Sequence, residues 1–599
     1  MGLYMGKYLV SKKRMIGIIL PVLILAVCIV VLLLAYEKPL KRTGDKEFTS
    51  GSGITIGQIS DLQQESLYKL CKVWGYAKYH HPSVVDGSLN WDAELFRVMP
   101  KVLEAQTEGE ADRTMYLWLD QFPFEAEKTE EAAQWLALQE EAGFQKLDTS
   151  WIQDADVYGT ELCGYLEKLS QTFLTEREKA YAAFLKDTPY VNFDHEVAWD
   201  LKPEDDGMKL LSLFRFWNIY EYYSPNVRIT PTEWDLVLQE AIPKLLSADS
   251  YREYVLAVAA VAAETGDAHI TVADKENICR FFYGRYFLPC SIKVVDGRVV
   301  VAQAAAGEQA GEGGLQAGDI IEAVDGQTIE ARITELSQYT ALPEPDRFLV
   351  KLGMQLLESE NKQAEVRMKR EDEILTLQIN TMENPYRYQN PYKNGLIGQG
   401  EIGYIDPSGL KEGDLEKLME EFTDTRGIIV DLRYYPSVFI PYLLGEYITP
   451  EPRQFAALTF PNRVSPGSFF RSDEFYSGAG AVKMAEGRET ACPPYHGKVM
   501  VLMNEESMSQ SEFTVMALRQ SPNAVVVGST SIGADGNVVK VSLPGRITMN
   551  ISGLGVYTPD GGQTQRTGLR PDVECLPTVD GLREGRDELI EKAVELIRE

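Results

Sequence analysis

The chain is 599 residues long and carries a formal net charge of −30 at pH 7. That length exceeds what one hydrophobic core supports and predicts several domains; that charge argues against nucleic acid, or an anionic membrane surface, as partner of the soluble part. Seven cysteines without a CxxC pair or a dense framework support neither structural zinc nor a disulfide scaffold, and Cys279 and Cys290 read either as a pair or as buried free thiols.

Residues 16–36 (IGIILPVLILAVCIVVLLLAY) are uncharged and apolar throughout, long enough to cross a hydrocarbon core as a helix. The run outlasts a signal peptide's apolar core and lacks a small-x-small cleavage site, so the expectation is an uncleaved anchor. Lys7, Lys12, Lys13 and Arg14 precede it and Lys38, Lys41, Arg42 and Lys46 follow, so the positive-inside count ties. The short amino-terminal tail favours a single-pass protein of the cell membrane: residues 1–42 form tail and anchor, and the rest is extracytoplasmic.

Leu70 to Ala105 aligns without gaps to Leu213 to Ala248, pairing Trp74 with Trp217, Pro82 with Pro225, and Trp91-Asp92 with Trp234-Asp235. Such self-similarity marks a repeat, here with an amphipathic helix, a proline stop and a second helix opening at Trp-Asp in each copy. The domains expected are a first helical repeat with its connector (55–200) and a second repeat (201–277). Large aromatics at helical spacing read as core. His80 and His81 resemble a metal pair, but the second copy has Tyr223 and Ser224 there, so they read as helix-end side chains. Only the second copy continues into LAVAAVAAETGDAHITV, with His269 in a loop between helix and strand.

Residues 278–381 turn strand-like. SIKVVDGRVVVAQ alternates about a D-G turn, AEVRMKREDEILTLQI reads as a hairpin, and GGLQAGDIIEAVDGQTI lies between. The run through Leu315, Gly318, Asp319 and Gly326 resembles a PDZ domain. The resemblance implies a groove that accepts an extended peptide as an added strand; the alternative is a β domain that spaces its neighbours. A Pro-, Tyr- and Asn-rich linker, NPYRYQNPYKNG, follows.

Residues 396–599 read as strands alternating with helices: GIIVDLR, KVMVLM, a helix from about Ser509 to Arg519, and NAVVVG. This is a βαβ unit with the serine cluster NEESMSQSEF at a strand-to-helix turn. A nucleophile there gains exposure and helix N-terminal N–H groups able to hold an oxyanion. Ser509-x-x-Glu512 also satisfies a capping box, which alone would explain both residues.

NEESMSQSE, with DAHIT, DLRYYP, GSTSIGADGN and TQRTGLRPDV in order, resembles the C-terminal processing peptidase and tricorn superfamily of serine peptidases. The Trp-rich repeat is similar to the amino-terminal region of a bacterial branch. The resemblance implies a ClpP/crotonase-type α/β catalytic domain, Ser509 as nucleophile and the Gln510 N–H as first oxyanion donor. The second donor falls to Ser437 or Val438, although the usual glycines are absent from Tyr434 to Val438. The lysine of Ser/Lys members falls at Ala534, with Lys540 the nearest substitute. Tricorn-type members use a histidine just ahead of the PDZ domain, which implies His269 as base. Ala268 and Gln565 stand where that pattern has a serine and a glutamate, leaving Asp267 and Asp535 as candidate carboxylate partners and Glu512 as a brace.

The combined expectation is a multidomain α/β protein: a membrane-anchored, extracytoplasmic serine endopeptidase, a hydrolase of proteins or peptides requiring no cofactor or metal. With an ordinary imidazole as base, activity would rise through roughly pH 6 to 7. The alternatives are a catalytically inactive PDZ-containing protein that binds an envelope partner, and an esterase or amidase.

Overall fold

The computed structural model describes residues 45–599 except 187, 306–313, 342–346, 488, 489 and 491. The anchor expected over residues 16–36 lies outside the described residues, and among those described no helix is long and apolar enough to cross a membrane.

The two repeats fold alike. Helices α1 (Asp61–His80) and α2 (Trp91–Leu103) form the first copy, α3 (Asp206–Tyr223) and α4 (Trp234–Leu246) the second. A buried indole N–H needs an acceptor, and each copy solves this reciprocally. Trp74 and Trp91 each donate to the other's backbone carbonyl at 2.9 Å; Trp217 donates to Trp234 at 2.7 Å and Trp234 to Trp217 at 3.1 Å. All four tryptophans are core. His80 Nδ1 bonds the Tyr76 carbonyl at 2.8 Å and its ring stacks on Tyr76, while His81 Nε2 bonds the Phe122 carbonyl at 3.0 Å. Burial pulls His80 down to about 3, so it is a neutral packing residue.

Between the copies, Lys78, Asp92, Glu196 and Arg215 form a fully buried quartet of two cations and two anions, with Lys78–Glu196 at 2.8 Å and Arg215–Asp92 at 2.7 Å. Arg215 also donates to the Ser542 carbonyl at 2.9 Å, tying the repeats to the last third of the chain. Helix α5 (Tyr251–Ala263), capped by a Ser250/Glu253 box, leads into the DAHIT loop and strand β1 (Val272–Ala273).

The next sheet is antiparallel. Strands β2 (Cys290–Val295) and β3 (Arg298–Ala304) meet at Asp296-Gly297, whose φ values of 49° and 72° suit a type I′ hairpin turn. β4 (Ile320–Val324), α6 (Ile329–Leu336), α7 (Phe348–Leu356), β5 (Gln363–Arg370) and β6 (Glu373–Asn380) complete it in the order β6-β5-β4-β3-β2, which leaves β2 at an edge. The motif residues hold turns and core. Leu315 is buried, Gly318 and Gly326 take positive φ, and the Asp319 carboxylate accepts from the Gln316 N–H and the Arg370 guanidinium at 2.7 Å. Cys279 and Cys290 are free thiols.

The last third contains β7 (Gly395–Ile397), β8 (Ile402–Ile405), β9 (Gly427–Asp431), α8 (Pro441–Ile448), β10 (Arg453–Pro461), β11 (Phe469–Ser477), β12 (Lys498–Met503), α9 (Gln510–Leu518), β13 (Ala524–Gly528), β14 (Val538–Leu543), β15 (Ile547–Ser552), β16 (Gly555–Tyr557), β17 (Val573–Glu574) and α10 (Glu588–Arg598). The central sheet runs β7-β8-β9-β12-β13-β17, parallel from β8 onward. Its strands are apolar on both faces because each face carries its own core. Two smaller sheets recruit the amino-terminal half: residues 143–145 pair with β11, and β1 pairs with β15, Met549 facing Val272. The second pairing carries the DAHIT loop onto the α/β unit.

Candidate active site

The turn after β12 assigns its serines different environments. Ser507 Oγ donates to the Leu432 carbonyl at 2.9 Å and accepts from the Asn504 N–H at 3.0 Å, lashing the turn to the end of the DLR strand. Ser511 is wholly buried within α9. Ser509 is partly exposed at the helix entrance with φ 53° and ψ −117°, a conformation that costs a non-glycine residue about 1–3 kcal/mol and persists only where its surroundings enforce it. Its N–H donates to the Ala534 carbonyl at 2.6 Å and to Glu512 Oε2 at 3.2 Å.

Glu512 does more than close a helix cap. Its buried carboxylate also accepts from Ser531 Oγ at 2.5 Å and from the Gly533 and Ala534 N–H groups at 2.9 Å, fastening the SIGADG loop beneath the nucleophile turn. Burial raises Glu512 above the ordinary carboxylate range, and burial together with the Glu512 charge raises Asp535 well above it. Asp535 Oδ1 accepts the Gly536 N–H at 2.7 Å and Oδ2 has no partner among the described residues; no bond joins it to His269, which removes it as the histidine's carboxylate. Ala534 is fully buried, so its place supplies no base. Lys540 lies on the solvent side of β14, which removes the substitute lysine too.

The DAHIT loop arrives from the other side. Gly266 turns the chain at φ +61° with the Arg566 side chain pressed against it, where a Cβ would meet Nε at 2.9 Å. Beyond it, the Asp267 carboxylate accepts four hydrogen bonds: the His269 N–H at 3.0 Å, the Ser552 N–H at 2.7 Å, Ser552 Oγ at 2.9 Å and Gln565 Nε2 at 2.9 Å. His269 Nδ1 lies 2.8 Å from Ser552 Oγ and 3.9 Å from Asp267. An ionised carboxylate only accepts, so the Ser552 proton points to Asp267 and His269 Nδ1 must be the donor to Ser552. This assigns the tautomer with Nε2 as the acceptor, and Nε2 is buried without a hydrogen-bond partner among the described residues. Burial lowers His269 below its ordinary range, Asp267 opposes that, and Lys351 adds to it.

The two halves meet through Ala268, Ile532 and Ala534, with Met508 packed against them, so the residues preceding His269 and Ser509 share one apolar contact. No hydrogen bond joins Ser509 to His269 among the described residues; catalytic hydrogen bonds often tighten only around substrate.

The Gln510 N–H occupies the first helical position, where no intrahelical acceptor exists. Its side chain donates to the Val438 carbonyl at 2.7 Å, holding the loop after β9 against α9. Ser437 is corrected as an oxyanion donor: its N–H goes to the Pro407 carbonyl at 3.0 Å, and its hydroxyl to the carbonyls of Pro407 and Leu410. These bonds tie the segment to the loop after β8, and the Val438 N–H is the next along the chain.

A groove of about 340 Å³ runs between edge strand β2 and helix α7, floored by Leu288, Ile292, Leu349 and Leu357. It continues past linker residues Tyr386 and Tyr388 to Tyr434, Glu505 and Glu506, at the start of the nucleophile turn.

Residues 467–575 match the family model of peptidase family S41, and residues 300–352 that of the PDZ domain. Those two segments are thus similar to an S41-type serine peptidase domain and to a PDZ domain, in that order from the carboxyl-terminal third inward. Over 107 residues the chain is 27% identical to a protein of Chlamydia trachomatis serovar D and 29% identical to an uncharacterized protein of Chlamydia muridarum. Each match covers 17% of this chain and 18% of the relative. Among solved structures, mature CPAF complexed with lactacystin aligns with TM-score 0.49 and 16% identity over 66% of this chain and 98% of that one. The photosystem II D1 C-terminal processing protease aligns with TM-score 0.36 and 18% identity over 64% and 98%, and tricorn protease with 0.32 and 16% over 66% and 37%.

Sequence reasoning missed Ser552. It closes β15 within an ordinary NISG run, and no local signal separates it from other strand-end serines.

Proposed function

We propose that this chain is a membrane-anchored serine endopeptidase working outside the cytoplasm, with Ser509 as nucleophile and His269 as general base. The observation that carries the reading is the His269 hydrogen-bond set: Nδ1 is tied through Ser552 to Asp267, and Nε2 is left as an acceptor with no partner among the described residues. In this reading Nε2 takes the Ser509 Oγ proton as the oxygen attacks the scissile carbonyl carbon. The N–H groups of Gln510 and Val438 receive the developing oxyanion. His269 then returns the proton to the leaving amine, and a water, deprotonated in the same way, hydrolyses the acyl-serine. The Asp267 carboxylate, acting through Ser552, stabilises the imidazolium formed in between. The groove along β2 supports an extended protein or peptide as substrate, held by strand addition. The apolar run at residues 16–36 supports membrane attachment.

The test is fluorophosphonate labelling of the full chain with mass spectrometry of the modified peptide. Label on Ser509 in wild type, lost in Ser509→Ala and slowed at least ~100-fold in His269→Ala, is expected. Labelling that His269→Ala leaves intact refutes the base assignment. One observation favours the alternative of an inactive PDZ-containing binding protein: the commitment of the Ser437 N–H to Pro407. Absence of label on wild type decides for it.

A further inference from the structure

Helix α7 and the residue before it turn a row of three donors toward the rest of the molecule. Arg347 Nη2 donates to the Arg566 carbonyl at 2.5 Å, Lys351 Nζ to the Ala268 carbonyl, and Gln355 Nε2 to the Cys279 carbonyl at 2.6 Å. Spaced four residues apart, the three share one face, while Leu349 and Gly353 on the opposite face line the groove. Two of the acceptors flank the Asp267 network: Ala268 sits between Asp267 and His269, and Arg566 follows Gln565.

We propose that Lys351, supplied by the PDZ domain, is a positioning residue for His269. It pins the DAHIT loop through the Ala268 carbonyl and offsets the Asp267 charge, so that the imidazole stays neutral with Nε2 able to accept a proton. The need is electrostatic. A carboxylate that orients a buried histidine also favours its protonated form, and a protonated His269 accepts nothing from Ser509. A cation on the same loop opposes that protonation while leaving the hydrogen bonds in place. The groups around His269 leave Lys351 in this role. Asp267 faces it from its own loop. Arg566, against Gly266, spends Nη1 on the Ile229 carbonyl. Asp535 and Tyr220, on the neighbouring loop and α3, are raised by burial, which disfavours their charged forms, and Glu512 is occupied beneath Ser509. Burial lowers Lys351 below the ordinary lysine range, and the Asp267 charge opposes that by favouring the ammonium form.

This inference rests on the Ser509/His269 reading, and the experiment separates the two. Fluorophosphonate labelling rates of the full chain, followed from about pH 5 to 9, are compared for wild type, Lys351→Met, Lys351→Gln and Lys351→Arg. Removal of the charge should move the acid limb of Lys351→Met up by about one pH unit, an approximately tenfold loss of rate below both limbs that disappears at high pH. Lys351→Gln, which keeps a donor, should shift alike and serves if the methionine variant fails to fold. Lys351→Arg should keep the wild-type limb. A limb unmoved in the neutral variants, or moved equally in Lys351→Arg, overturns the proposal while leaving the serine–histidine reading in place. A wild type that takes no label overturns both.

Discussion

Replacing Ser552 with alanine isolates the link between His269 and Asp267. The Ser552 side chain is fully buried, its oxygen 2.8 Å from His269 Nδ1 and 2.9 Å from Asp267 Oδ1. Alanine leaves the Nδ1–H facing Asp267 across 3.9 Å, beyond hydrogen-bond reach, so two buried bonds are lost, one of them to a charged acceptor. The stability cost is about 2–4 kcal/mol, read by urea denaturation. The larger effect is on the reaction. With nothing holding the proton on Nδ1, the imidazole also populates the tautomer that blocks Nε2, and kcat should fall about 100-fold, about 2.7 kcal/mol of transition-state stabilisation. KM should change little, because Ser552 lies behind the histidine. The assay is steady-state turnover of a chromogenic peptide beside the labelling rate at Ser509. A folded Ser552→Ala protein that labels and turns over at the wild-type rate refutes the link.

The pH dependence differs from that of a free imidazole. Burial lowers His269, so the acid limb of kcat/KM should lie below the ordinary value of about 6.5 rather than rising through pH 6 to 7; a limb above it contradicts the buried environment. The same depression implies that the stability contributed by neutral His269 is complete above the unfolded value and is lost as pH falls below it, and it should disappear from melting curves of His269→Gln. Glu512→Gln replaces an acceptor of four hydrogen bonds with an amide whose NH2 group faces some of the same donors and leaves them unpaired. A loss of about 3 kcal/mol or more in stability, with slower labelling of Ser509, is expected. Asp535, raised by burial, contributes stability at low pH that is lost as pH rises from the unfolded value near 4. Asp535→Asn should therefore raise Tm more at pH 8 than at pH 5. Asp92→Ala leaves Lys78 and Arg215 with Glu196 as their one shared anion in the quartet, an uncompensated buried positive charge, and should cost about 3–5 kcal/mol by urea denaturation.

Much of the architecture was legible because it is periodic. The tryptophan repeat is written as matched positions, and the indole-to-carbonyl exchange follows once those positions are buried together. The parallel strands GIIVDLR, KVMVLM and NAVVVG are continuous apolar runs because both sheet faces are covered. Ser509 stood out through its place between strand and helix, and His269 through the loop that breaks the symmetry of the repeats. Of Ser437 and Val438, the sequence candidates for the second oxyanion donor, Ser437 drops out because an N–H's direction depends on how its loop folds back, here onto the Pro407 carbonyl. An imidazole's burial is not visible in its neighbours along the chain, so the direction in which His269 is shifted comes only from the fold.

By itself, the sequence determined the order of the parts: a repeat of helices, a PDZ segment, and a strand–turn–helix unit with its serine cluster. These features depend on near neighbours, on hydrophobic period, turn chemistry and capping. Only the tertiary structure decided how the parts share a site. Strand β1 adds to β15 and brings Asp267 to Ser552, 285 residues away; helix α7 reaches Ala268 through Lys351. Such contacts are fixed by strand pairing and burial between distant segments, and a hydroxyl at a strand end or a lysine on a helix acquires its part only when the opposing segment arrives.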